Sequence, residues 1–175
     1  MELDDETRHA LAARLDPFLA GGALPGRPVP IENWHVTLRF LGDTSAVQRD
    51  LALERLTRHH LGRPFRVRFG ALGAFPDPHR AAVVWLAVAG GAEDLVDLAA
   101  AAEDASQGVG FSPEDRPFHP HLTLSRVRPP ENVTPLIEAV PSTGVSMTVD
   151  AVVLYRSILS DGPARYEVVE RIPLV

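Results

Sequence analysis

Polar and apolar positions alternate most cleanly over residues 33–41. Trp34, Val36, Leu38 and Phe40 have one parity and His35, Thr37 and Arg39 the other, which predicts a strand with one face on a core. Before it, residues 4–20, "DDETRHALAARLDPFLA", carry a helical stripe of Ala10, Leu11, Leu15, Phe18 and Leu19, with Asp4 or Asp5 placed to cap it. "GGALPGRPVP" then reads as a loop. Residues 45–60 predict a second helix with Val47, Leu51, Leu53 and Leu56 as its apolar side, and His59 and His60 suit its C-terminal dipole.

The next stretch holds a strand, "PFRVRFGAL", with arginines on one face, a turn, "GAFPDPHR", and a buried strand, "AAVVWLAVAG". Residues 91–107 form a third, alanine-rich helix. The loop "FSPEDRPFHP" leads into a second alternating stretch, "HLTLSRV", and "PPENVTPLIEAV" offers a short helix. "VSMTVDAVVLYRSIL" and "ARYEVVERIPLV" read as a final strand pair turning at Asp161-Gly162-Pro163. Helix, His-x-Thr strand, helix and strands therefore occur twice, a weak duplication near half the chain length. That order predicts an α+β fold over residues 1–175, a single bilobal domain. Its two pseudo-symmetric lobes would each be mainly antiparallel sheet with helices packed outside and a central cleft.

Composition narrows the chemistry. With 45% apolar and 23% charged residues the chain is ordinary for a globular protein. No apolar run reaches the ~18 residues of a spanning helix, and the polar opening "MELDDETRHA" is unlike a signal peptide. No cysteine is present, which excludes disulfides, thiolate metal sites and a cysteine nucleophile; a cytoplasmic location is the expectation, with a monomer as the default. The net charge of −6 argues against a non-specific grip on long nucleic acid. The charge is uneven, however: residues 49–80 hold seven arginines against Asp50, Glu54 and Asp77. Every basic residue is arginine, which suits bidentate phosphate contacts better than lysine.

The two alternating stretches share one phrase, His-x-Thr-Leu, at His35 and His121. On a strand, residues i and i+2 project from one face, so each copy presents an imidazole beside a hydroxyl while Val36 or Leu122 faces the core. Brought together, the copies place two imidazoles and two hydroxyls around one volume. A neutral imidazole takes a proton from water and a protonated one gives a proton to a leaving oxygen. In-line displacement at phosphorus needs those groups on opposite sides. Thr37 and Thr123 are placed to hold non-bridging phosphate oxygens, and this chemistry calls for no cofactor and no metal.

With those residues the sequence resembles the 2H phosphoesterases, and within them the bacterial RNA 2′,3′-cyclic phosphodiesterases, also called 2′-5′ RNA ligase-like proteins. The resemblance is carried by "ENWHVTLRFLGD" (32–43), "GALGAFPDPHRAAVVWLAV" (70–88), "FHPHLTLSR" (118–126) and "VLYRSILSDGPARYEVV" (153–169). It implies a bilobal fold and an enzyme that hydrolyses a 2′,3′-cyclic phosphate on an RNA end to a 2′-phosphomonoester. It further implies His35 as proton donor, His121 as proton acceptor, Thr37 and Thr123 as phosphate-positioning groups, and 2′-5′ joining as the reverse chemistry. The implied partners are RNA ends or nucleotides bearing the cyclic phosphate, with no membrane.

Arg126 stands where the family often has an arginine near the phosphate, although ideal parity puts it opposite His121, so contact requires a bulge. Arg39 has the parity of His35, and Phe40 and Tyr155 are candidates for stacking on a base. His119 reads as structural or as part of the cleft rim. The family opens with an apolar strand that this sequence does not match, because it enters its first helix almost at once. Two other readings compete: a metal hydrolase using His35, His119 and His121, disfavoured by the absence of H-E-x-x-H spacing, and a non-catalytic RNA-end binding module.

Overall fold

The apolar stretches assemble into two antiparallel sheets, seen in a computed structural model that describes residues 1–19, 22–158 and 163–175. Strands β1 (Arg27–Pro28), β2 (Phe65–Phe75), β3 (Ala81–Gly90), β4 (His121–Glu131) and β5 (Ser146–Val149) lie in the order β1-β4-β3-β2-β5. Strands β6 (Ala151–Ile158) and β7 (Arg165–Pro173) form the second sheet as a hairpin. Four helices accompany them among the described residues: α1 (Asp5–Leu19), α2 (Ala46–Arg58), α3 (Ala92–Gln107) and α4 (Thr134–Ala139). None is long and apolar enough to cross a membrane. The fold is α+β, as its element order predicts.

One core serves both sheets. Phe69, Leu86, Leu122 and Leu124 from the larger sheet join Leu11 and Leu15 of α1, Leu95 of α3, Val152 of β6 and Leu174 beyond β7. α1 is capped where expected, the Thr7 N–H donating to Asp4 Oδ1 at 2.6 Å. α2 opens on a reciprocal box, the Gln48 N–H donating to Ser45 Oγ at 3.2 Å and the Ser45 N–H to Gln48 Oε1 at 3.3 Å.

Several expectations are corrected. Val47 and Leu51 of α2 are not core residues but 68% and 46% exposed, because α2 packs beside α3 and buries none of its residues fully. The turn expected at "GAFPDPHR" begins later, since β2 continues to Phe75, and only Pro78–Arg80 form a short 3-10 turn. Arg27 and Pro28, expected in a loop, add an edge strand to β4. "VSMTVDAVVLYRSIL" is two strands. The chain leaves the large sheet at Val149, paired to Phe65, and joins the hairpin at Ala151, paired to Pro173. Asp150 marks the switch, its carbonyl accepting from the Leu174 N–H at 2.8 Å. The hairpin pairs as predicted, but Asp161 and Gly162 of its turn lie outside the described residues.

The largest correction concerns residues 33–41. They do not form a long strand; Ile31–Asn33 make a 3-10 turn, and only His35 and Val36 take part in pairing. Glu2 bridges His35 on one side and Leu122 bridges Val36 on the other, both antiparallel. The extended run stops there because its partner β4 begins only at His121, opposite Thr37, and beyond it the side chain of Arg39 turns toward α3, onto Ser106 and Glu103. Residues 1–3 thus run alongside His35, with Met1 and Leu3 buried. Val36 and Leu122 are each 0% exposed, and their contact ties the 35–36 segment to β4 of the larger sheet. Leu122→Ala is expected to cost about 2–5 kcal/mol, the scale of a buried leucine truncation, read as a lower midpoint in chemical denaturation. A loss below about 1 kcal/mol would show that the junction does not depend on this side chain.

Candidate active site

The single bridge between Val36 and Leu122 fixes four other side chains. Residues directly opposite in an antiparallel pair share a face, and their neighbours point the other way. Extending the bridge by one residue each way sets His35 opposite Thr123 and Thr37 opposite His121. With Val36 and Leu122 turned into the core, all four polar side chains emerge on the other side. The two histidines are then diagonal partners, about 7–8 Å apart in an ideal ladder. A local two-fold through the bridge exchanges His35 with His121 and Thr37 with Thr123. The half-sites are therefore neighbours on adjacent extended segments.

Each imidazole is anchored in the same way. His35 Nδ1 lies 2.7 Å from the Asn33 carbonyl oxygen, and His121 Nδ1 lies 2.6 Å from that of His119. A carbonyl only accepts, so Nδ1 carries the hydrogen in both rings and Nε2 is left for chemistry. The two differ at Nε2. Thr37 Oγ1 is 3.0 Å from His35 Nε2, whereas among the described residues His121 Nε2 has no such partner. Burial pushes both imidazoles below the ordinary histidine pKa. The hydrogen bond to the carbonyl opposes that shift, and the charge of Arg126 adds to it at both rings.

Arg126 reaches this face through a bulge. Between β3 and β4, Ala87 faces His121, Trp85 faces Thr123, Val84 faces Ser125 and Val83 faces Arg126. Two residues of β4, Leu124 and Ser125, thus occupy one step of β3. The extra residue reverses parity, so Arg126 shares the face of His121 and Thr123. Ser125, turned inward and 0% exposed, is satisfied by donating from Oγ to the Pro25 carbonyl.

The remaining sequence candidates divide. Arg39 is not offered to a ligand; its guanidinium binds Glu103 at 2.8 Å, Glu114, Ser106 Oγ at 3.2 Å and the Ser112 carbonyl at 2.5 Å. Phe40 is 70% exposed, so it is not a core residue. Tyr155 lies beside His35 with ring centroids 5.9 Å apart. Burial, and then the Glu2 carboxylate that accepts its hydrogen bond, push the Tyr155 phenol up to about 12, which keeps it protonated. His119 is exposed and 6.3 Å from His121 ring to ring. Among the described residues no three His, Cys, Asp or Glu side chains are grouped as a metal ion would require.

Sequence reasoning missed the aromatic side chains that brace the histidines. Phe75 packs edge-on to His121 at 5.1 Å and to His119 at 5.5 Å, and Trp85 packs edge-on to His119 at 5.0 Å. Trp85 lies flat over Gly73, where a Cβ would fall 2.2 Å from the indole, so only glycine admits it. On the other side Tyr166 meets His35 edge-on at 4.8 Å, and Asn33 is held by donating from Nδ2 to the Ala164 carbonyl at 2.7 Å. Trp85 was hidden in a continuous apolar run, which has no face to read. Tyr166 is legible once the hairpin register sets it opposite Ser157, two residues beyond Tyr155.

Known proteins resemble the chain in sequence and in fold. The sequence model of the 2′-5′ RNA ligase superfamily matches residues 25–160. A protein of Aeropyrum pernix named RNA 2′,3′-cyclic phosphodiesterase is 38% identical over 156 residues, 86% of this chain and 88% of the relative. One of Escherichia coli with the same name is 34% identical over 148 residues, 83% of this chain and 78% of the relative. The crystal structure of E. coli LigT complexed with 3′-AMP superposes with a TM-score of 0.80 at 27% identity, covering 99% of this chain and 94% of LigT. By sequence over most of its length and by fold, the chain belongs to the 2′-5′ RNA ligase superfamily.

Proposed function

We propose that residues 1–175 act as one unit, an RNA 2′,3′-cyclic phosphodiesterase that opens a terminal cyclic phosphate to a 2′-phosphomonoester by two-histidine acid–base catalysis. The observation that carries this reading is the Val36–Leu122 bridge, beside which two Nδ1-anchored, half-buried imidazoles share one face. The names of the relatives support the same activity. In the cytoplasm, as a monomer, the enzyme would meet RNA ends bearing the cyclic phosphate.

His121 Nε2, open to the cleft, takes a proton from water as the water oxygen bonds to phosphorus. The bond from phosphorus to O3′ breaks in line, and protonated His35 Nε2 delivers its proton to that oxygen. The product carries a 2′-phosphate and a free 3′-hydroxyl, and His35 and His121 have exchanged protonation states. Thr37, Thr123 and Arg126 hold the non-bridging oxygens, where negative charge grows. Tyr155 and the exposed Phe40 offer faces to the terminal base. Replacing water by a 5′-hydroxyl gives a 2′-5′ bond with the same acid and base. No step draws on a metal ion.

His35→Ala and His121→Ala are each expected to lower turnover of a nucleoside 2′,3′-cyclic phosphate by at least about 10², and Thr37→Ala and Thr123→Ala by less. Assays in excess chelator are expected to match those without it; chelator-sensitive activity, or near wild-type turnover of either histidine variant, would overturn the scheme. Phe75→Leu removes the edge-on brace of His121 and is expected to lower kcat roughly tenfold with little change in KM. An effect confined to KM would make Phe75 a substrate contact instead.

The pH dependence follows from the same groups. A productive pair needs one imidazole neutral and one protonated, and both are held below the ordinary pKa of about 6.5. As pH rises past these lowered values the free protein loses its acid, so kcat/KM is expected to peak below about pH 6.5 and fall toward neutrality. The bound phosphate anion favours imidazolium, so the kcat optimum should lie at higher pH. A kcat/KM maximum above pH 7.5 would contradict this assignment.

A further inference from the structure

Arg8, Arg39, Arg156 and Arg171 are each held by a carboxylate: Arg8 by Asp5, Arg39 by Glu103 and Glu114, Arg156 by Glu167 and Arg171 by Glu2. Arg27 and Arg126 are not; among the described residues neither enters an ion pair, and both are exposed. They are also cross-strand partners, Arg27 of β1 directly opposite Arg126 of β4. Like charges in that position repel. The backbone nevertheless enforces the pairing. The Val29 N–H donates to the Leu124 carbonyl at 2.8 Å, and Gly26, with φ +77, packs so closely that a Cβ there would sit 2.4 Å from the Arg126 carbonyl oxygen. Two unneutralised guanidinium groups side by side make a place for an anion with more than one charge.

Their position says which anion. The β3–β4 register puts Arg126 on the face of His121 and Thr123, and opposite pairing puts Arg27 on the same face, one strand spacing of about 4.8 Å further from β3. Arg126 stands on the strand that carries His121, and its charge lowers the pKa of both imidazoles, while Arg27 lies on the next strand out. Arg126 thus belongs to the reacting phosphate and Arg27 stands one step outside it. We propose that Arg27 binds the internucleotide phosphate next to the reacting nucleotide, completing with Arg126 a two-phosphate clamp that selects RNA ends over free cyclic nucleotides. This rests on the phosphodiesterase reading above and adds its substrate selectivity.

The test compares adenosine 2′,3′-cyclic phosphate, which has no internucleotide phosphate, with the dinucleotide ApA 2′,3′-cyclic phosphate, which has one. In Arg27→Gln the ratio of kcat/KM for the dinucleotide to that for the mononucleotide is expected to fall about tenfold, the scale of one charge-assisted phosphate contact. The salt dependence on the dinucleotide should lose roughly 0.7 in log–log slope. Arg27→Lys, which keeps the charge but not the fork, should recover part of the ratio. A dinucleotide with a neutral methylphosphonate linkage should make the wild-type protein and Arg27→Gln alike. An unchanged ratio, or equal losses on both substrates, would overturn the clamp. Binding of ApA 3′-phosphate is measured alongside: Arg27-dependent binding without turnover overturns hydrolysis and keeps the clamp, whereas turnover with an unchanged ratio does the reverse.

Discussion

The contact between Val36 and Leu122 is the constraint on which the site depends. Neither residue has any chemistry. Both are fully buried, and each sits between a histidine and a threonine. Burying them together costs nothing in hydrogen bonds and turns their polar neighbours outward on one side. The core therefore sets the geometry of the candidate site: a one-residue slip would put both histidines into the apolar interior and both aliphatic residues on the polar face. Strong register is needed here because the pairing itself is a single bridge, with few backbone hydrogen bonds to hold it.

A second device, the bulge at Leu124 and Ser125, makes the face electrostatically complete. On a regular strand Arg126 would point away from the histidines. The extra residue brings its guanidinium to their side, where its charge opposes imidazolium and favours bound phosphate. Burial and this charge thus disfavour imidazolium at both rings in the free site, and an anionic ligand would oppose that effect. Packing supports this balance. Phe75 and Tyr166 meet the two rings edge-on, fixing their planes without competing for Nε2.

Much of this was legible in the chain. The repeated His-x-Thr-Leu carried the half-sites, because parity is a local property. The helices and the buried strands followed their periods. What failed had tertiary causes. The strand over 33–41 was cut short because its partner, β4, begins only at His121, a limit set by residues far along the chain. The exposed face of α2 at Val47 and Leu51 follows from its packing beside α3, which a hydrophobic stripe alone does not reveal. The brace from Trp85 depended on Gly73 of the neighbouring strand, a cross-strand pairing that no single-strand pattern displays.

The distribution of carboxylates explains how an acidic protein can present a cationic face. With a net charge of −6 the chain would repel a polyanion if its charges were evenly mixed. Instead Glu2, Glu103, Glu114 and Glu167 pair with Arg171, Arg39 and Arg156, and among the described residues Arg126 and Arg27, on the face bearing His121, enter no ion pair. Attraction is then local and short-ranged, screened beyond about 8–10 Å at moderate salt. Such a surface would hold one or two phosphates at a chain end and gain little from a longer strand. That range matches a chemistry confined to the last linkage of an RNA.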